Sequence, residues 1–168
     1  LHCVLRPLFF VMRRLGWWPK GAARANQVWR EFEGYRPGAH DVMVCSYFKS
    51  GTNWTMQMAL QVAWRGEAQF GHVHDLVPWV EMPTRFRYTV TPNDALWQCS
   101  PTQLQVIKTH LPIGKIEYNE QAKYIWVVRD PKDVFVSGYH FIRSIALGPL
   151  MPTVEEWLDL YLSEDAFN

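Results

Sequence analysis

Residues 41–54, Asp-Val-Met-Val-Cys-Ser-Tyr-Phe-Lys-Ser-Gly-Thr-Asn-Trp, leave the chain few ways to fold. They open on a short apolar, β-branched run, which reads as a buried strand. A loop of Lys49, Ser50, Gly51, Thr52 and Asn53 follows, and from Trp54 to Arg65 the composition suits a helix, with Met58, Leu60, Val62 and Trp64 as its apolar residues. A strand, a loop of small residues and a helix start in succession make an anion site. Unpaired backbone N–H groups and the positive end of the helix dipole converge there. Lys49 adds a full positive charge, the Ser50 and Thr52 hydroxyls add donors, and Gly51 lets the backbone close in without a Cβ. The loop is not a Walker A motif, because its lysine precedes the glycine and no upstream glycine is in place. The plain alternative is a polar strand-to-helix turn with a solvated lysine.

A chain of 168 residues, 48% of them hydrophobic and 20% charged, fits one globular domain over 1–168 with a core of its own. A formal net charge of +1 gives no bulk-charge basis for binding nucleic acid or a membrane surface. Cys3, Cys45 and Cys99 are odd in number and lack C-x-x-C spacing, which argues for a reducing, cytoplasmic setting and against a zinc site. Cys45 reads as a small core residue. The nine tryptophans read mainly as core, with a hint of aromatic-lined pockets. No apolar run is long enough for a membrane span. Residues 1–20 instead suggest a basic amphipathic helix ended by Gly16 and Pro19, and Asn26 to Tyr35 a short helix. A first residue of Leu1 and an end at Asn168 suggest a fragment at both ends.

Gly66 to Pro101 reads as a long irregular stretch that would wall a pocket. Leu104 to Lys108 and Lys123 to Val128 read as two further strands. Asp130 then caps a helix with Pro131 at its first position, running to about Leu147 with Val134, Phe135, Tyr139 and Ile142 inward. A capping box between Thr153 and Glu156 opens a last helix, with Val154, Trp157, Leu158 and Tyr161 as its apolar face. Strands alternating with helices predict an α/β fold, a P-loop-like parallel sheet flanked by helices.

In such sheets ligands sit outside the carboxyl ends of the strands. Three strand ends carry polar clusters: Lys49-Ser50, Lys108-Thr109-His110 and Arg129-Asp130. Their convergence would gather two lysines, an arginine and a histidine around one crevice, suited to a polyanion and a proton acceptor. His72, His74 and Asp75 read as a loop rather than a metal site, His140 as a packing residue, Lys132 and Asp133 as a solvated helix start, and Glu81 as a surface carboxylate.

Lys49 to Trp54, then Lys108-Thr109-His110-Leu111-Pro112, then Arg129 to Val134 running on to Ser137, Tyr139, His140 and Phe141, together resemble the cytosolic-type sulfotransferases. These enzymes move a sulfuryl group from 3′-phosphoadenosine 5′-phosphosulfate (PAPS) to a hydroxyl or amine. The resemblance implies that Lys49, Ser50, Gly51, Thr52 and Asn53 surround the 5′-phosphosulfate and that Trp54 packs on the adenine. It makes Lys49, Lys108 and His110 catalytic: Lys49 on the bridging oxygen, His110 as general base, Lys108 beside it on the transferring group. It gives the 3′-phosphate to Arg129 and Ser137 and calls for no metal; the aromatic content of the 66–101 stretch suggests an apolar acceptor with a hydroxyl, and a phenol, a steroid or a lipid alcohol would all fit. It also implies a domain that continues past Asn168 into a Gly-rich segment that binds the 3′-phosphate, so the sheet would be incomplete at its C-terminal side. Phe48 stands where the family commonly has Pro, and Asn53 where it has Thr; Asn keeps a donor there. A kinase-like phosphotransferase and a nucleotide-binding module without catalysis are the alternatives. The oligomeric state is not legible.

Overall fold

A computed structural model describes residues 35–79, 95–111 and 113–162. Cys3, Glu81, the helix expected over 1–20 and, apart from Tyr35, the one expected over 26–35 lie outside these residues, and Tyr35 itself is not helical. The described residues fall into two compact units, one ending at Val128 and the other beginning at Arg129.

The first unit is built on a three-stranded parallel sheet in the order β2-β1-β3. Strand β1 is Asp41–Ser46, β2 is Gln105–Thr109 and β3 is Lys123–Val127. β1 is central: Val44 pairs with Lys108 on one side and with Ile125 on the other. Every residue of β1 and β2 is buried, as expected for parallel strands covered on both faces. Alternation then sorts the side chains. Val42, Val44 and Val106 pack with Met56, Leu60 and Ala63 of helix α1 (Thr52–Ala63), while Met43, Cys45 and Ile107 face Leu111 on the other side. Asp41 ties down the approach to β1. One carboxylate oxygen accepts from the Gly38 amide (2.7 Å) and from the Tyr35 hydroxyl (2.6 Å), and burial together with that carboxylate holds the Tyr35 phenol protonated far above its ordinary range.

Helix α1 starts two residues earlier than expected, because Gly51 rather than a hydroxyl side chain is its N-cap. Its buried residues are Thr52, Met56, Leu60 and Ala63, spaced by four, four and three. Of the four apolar residues expected on this helix, Leu60 is buried and Trp64 packs against the core. Met58 is 57% exposed and Val62 72% exposed. Residues two apart point about 200° apart on a helix and cannot share a face. The tryptophans also depart from expectation. Of the described ones only Trp157 is fully buried, whereas Trp54 is 78% exposed. The 66–101 stretch is ordered where described, with single 3₁₀ turns at Val73–Asp75 and Leu96–Cys99, and Trp79 makes a parallel bridge to Lys108.

The second unit is a helix pair. Asp130 caps α2 (Pro131–Ile142) by accepting from the Lys132 amide at 2.8 Å, and Pro131 takes the first helical position as expected. The helix ends short of Leu147, passing through a π-turn at Arg143–Leu147. The capping box at the start of α3 (Val154–Leu162) is present: the Thr153 amide donates to Glu156 Oε2 (2.9 Å) and the Glu156 amide to Thr153 Oγ1 (3.3 Å). Packing runs through Phe135 on Tyr161 and Tyr139 on Trp157, with Trp157 Nε1 donating to the Phe135 carbonyl at 3.4 Å. Val154 and Leu158, expected on the apolar face, are 49% and 42% exposed, leaving Trp157 and Tyr161 as the contact.

Candidate functional site

At the carboxyl end of β1 the backbone turns over Tyr47 to Ser50, closed by the Ser50 amide donating to the Tyr47 carbonyl at 3.1 Å. Lys49 has φ +63° and Gly51 φ +105°. A left-handed lysine is strained by on the order of 1–3 kcal/mol. Gly51 is needed for conformation rather than room, since a Cβ built there would meet only Val127, at 3.9 Å. Ser50 and Thr52 are buried, and Asn53 and Trp54 are exposed. The first-turn amides of α1 have no carbonyl within the helix to bond, so they face the loop together with Lys49. That donor set suits a phosphate or sulfate group.

The neighbouring strand end brings His110 to the loop. Cys45 pairs with Thr109, so His110 emerges beside Ser46. Its Nδ1 lies 2.8 Å from the Ser46 carbonyl oxygen, which can only accept, so Nδ1 carries the proton and Nε2 the lone pair. The Ser46 hydroxyl is 3.3 Å from the same Nδ1 and 2.5 Å from Thr52 Oγ1. Burial, reinforced by Lys108 and opposed by the bond to Ser46, lowers the His110 pKa to about 4. The imidazole is therefore neutral at pH 7.

Lys108 is 4% exposed, and its ammonium sits 3.2 Å from the centroid of the Trp79 ring. The Lys108 amide donates to the Pro78 carbonyl at 2.9 Å, which keeps that segment against the outer edge of β2. Trp79 also stands edge-on to His110 (5.7 Å) and stacks on buried His74 (5.4 Å). A desolvated cation on an indole face is stabilised by about 2 kcal/mol. We expect Trp79→Leu to destabilise the fold by about that much, and Lys108→Met in the same background to recover part of the loss. Urea unfolding of the four chains measures the coupling; additive effects would show that the pair does not interact.

Arg129 and Ser137 belong to the second unit. Arg129 is 40% exposed and lies 3.5 Å from Asp133, one turn on. Ser137 is half-buried in α2, next to buried Gly138. His140 is exposed and edge-on to Tyr139 at 5.6 Å.

The sequence profile described as Sulfotransferase domain matches residues 39–167. The chain is a member of this family. It is 30% identical over 142 residues to mouse Sulfotransferase 1B1, covering 80% of this chain and 46% of that protein. It is 27% identical over 128 residues to the guinea-pig 3-beta-hydroxysteroid sulfotransferase, covering 73% and 42%. The crystal structure of mouse sulfotransferase SULT7A1 complexed with PAP superposes with a TM-score of 0.56 at 22% identity, over 79% of this chain and 44% of that one. The chain thus spans about half the length of the curated relatives it matches.

Sulfotransferase membership displaces the kinase-like alternative, and Asp130, its one candidate metal carboxylate, caps α2. Sequence reasoning missed Ser46 at the site, and it placed Trp79 and His74 only generally, in a stretch expected to wall a pocket. Ser46 is the one polar side chain closing an otherwise apolar strand end, a signal that could have been read. Trp79 and His74 reach the site only through the pairing of the 77–79 segment with β2. Neither His72 nor Asp75 is arranged for metal binding. They cap one 3₁₀ turn reciprocally, with His72 N donating to Asp75 Oδ2 (2.7 Å) and His74 N to His72 Nδ1 (3.2 Å). No group of potential metal ligands occurs among the described residues, and no helix among them is long and apolar enough to cross a membrane. A cleft of about 540 Å³ lined by Arg36, Pro37 and residues 117–120 lies by the amino ends of β1 and β3, away from this chemistry, with Arg36 paired to Glu117 at 2.7 Å.

Proposed function

We propose that this chain carries the donor side of a sulfuryl-transfer site, in which a hydroxyl or amine of a small apolar acceptor receives the group from PAPS and His110 is the general base. The observation that carries this reading is His110 beside the anion loop, held through Nδ1 by the Ser46 carbonyl so that its lone pair is on Nε2. The loop's donors suit the phosphosulfate: a lysine, two hydroxyls and the open end of a helix dipole. PAPS supplies an activated sulfuryl group on an anhydride-type oxygen.

The chain's residues position and neutralise. Lys49 and the first-turn amides of α1 hold the 5′ end and offset charge on the bridging oxygen. Lys108 faces the transferring group, its ammonium steadied by Trp79. Neutral His110 takes the acceptor's proton at Nε2. A pKa of about 4 makes it available but weakly basic, and an anion bound next to it raises that value by favouring the imidazolium. Exposed Trp54 offers a face for the adenine, and Arg129 with Ser137 takes the 3′-phosphate. No step needs a metal. The steroid enzyme among the relatives supports a small-molecule acceptor of the phenol, steroid or lipid-alcohol kind. Cys45 and Cys99 form no disulfide among the described residues, which accords with a cytoplasmic setting.

Calorimetric titration with 3′-phosphoadenosine 5′-phosphate tests the donor site. Micromolar binding is expected, weakened about 10–100-fold by Arg129→Ala or by omitting the 3′-phosphate, the scale of one charge-assisted contact. Binding by a folded chain that ignores both changes would refute the assignment of the 3′-phosphate to Arg129.

A further inference from the structure

We propose that Ser46 is a positioning residue that couples occupancy of the anion loop to the tautomer of His110. This rests on reading the loop as the donor cradle and His110 as the base. Ser46 touches both: its carbonyl accepts from His110 Nδ1 at 2.8 Å, and its hydroxyl stands 3.3 Å from that nitrogen and 2.5 Å from Thr52 Oγ1. Ser46 and Thr52 are 8% and 6% exposed, so water does not readily stand in for these bonds.

Each hydroxyl has one proton, so the three groups form a chain that can run in two directions. If Thr52 donates to Ser46, the Ser46 proton is directed at Nδ1, which must then carry a lone pair, and the ring proton moves to Nε2. In that state His110 cannot accept a proton at Nε2. If Ser46 donates to Thr52, its oxygen accepts from Nδ1–H and the Thr52 proton is directed out towards the loop. An anion in the loop accepts that proton as a hydrogen bond and so selects the second direction. The two hydroxyls only rotate, while the ring exchanges its proton with water, losing it from Nε2 and gaining one at Nδ1, so the net charge is unchanged. The carbonyl already favours the same tautomer, and the loaded loop fixes it, so the base is set when the donor is present.

Long-range ¹H–¹⁵N spectra of the labelled chain report the protonation of each His110 ring nitrogen. They are recorded with and without 3′-phosphoadenosine 5′-phosphate, and with inorganic phosphate as a second probe. In the unsubstituted chain either anion should sharpen the Nδ1–H pattern. In Ser46→Ala the nucleotide should bind within about threefold, yet at pH 7 the His110 Nδ1–H to Nε2–H tautomer ratio should no longer respond, while His74 keeps its shifts as evidence of an intact fold. Ser46→Thr should restore the response. Thr52→Val, studied at saturating nucleotide, removes the other end of the same bond and should uncouple His110 equally. A His110 response in Ser46→Ala equal to that of the unsubstituted chain overturns the coupling and leaves the donor reading standing. An unsubstituted chain that binds neither anion overturns both.

Discussion

On the proposed assignment of His110 as general base, His110→Gln is expected to lower sulfuryl transfer about 10²–10⁴-fold, the usual contribution of such a group. The amide can still bond the Ser46 carbonyl but has no basic nitrogen to take the acceptor's proton. Binding of 3′-phosphoadenosine 5′-phosphate should change little, because the loop's lysine, hydroxyls and amides are untouched. The pH profile adds a sharper check. Burial and Lys108 lower the His110 pKa to about 4 in the ligand-free state, so kcat/KM should stay level from neutrality down to about pH 4–5 and not fall near 6.5. The acid limb of kcat should lie higher, because the bound anionic donor favours the imidazolium. A ligand-free limb at the ordinary histidine value would mean that His110 is not held as the geometry indicates.

Acid unfolding carries the second large effect. His74 is 5% exposed, donates Nδ1–H to the Val77 carbonyl at 2.9 Å and stacks on Trp79, and burial lowers its pKa from 6.5 to about 4. The native state therefore resists a proton that the unfolded chain takes up below pH 6.5. Stability is full above 6.5 and is lost as the pH falls towards 4, by about 3 kcal/mol for His74 alone. His110, whose pKa is also lowered to about 4, adds a comparable loss over the same window. Urea midpoints measured between pH 7 and pH 4 test this. His74→Phe should flatten the slope, whatever it does to the stability at pH 7. An unchanged slope would show that His74 is protonated in the native state.

How much of this was legible in the sequence depends on the reach of each interaction. β1 was readable because Val42, Met43 and Val44 are apolar in one run, and α2 because Asp130-Pro131 is a local start signal. The loop's glycine and lysine were visible as a motif, and three motifs in order were enough for the family. The buried face of α1 was not, because composition drew attention to Met58, Val62 and Trp64 while the core took positions three and four apart. The coupling of Ser46 to His110 joins residues 64 apart. It depends on β1 and β2 lying side by side in one register, a fact no local pattern contains. Trp79 was expected only as part of a pocket wall, because its place against Lys108 follows from a single bridge beside β2.

The left-handed backbone at Lys49 has a consequence for evolution as well as for binding. Glycine would fit that dihedral with less strain, yet the position carries the one side chain that brings a charge to the loop. Strain held in the folded chain is strain a ligand need not impose, so an anion bound there, as proposed, would meet a preset mould whose ordering entropy has already been lost during folding. A Lys49→Gly change would thus act twice, removing the charge and setting the mould loose.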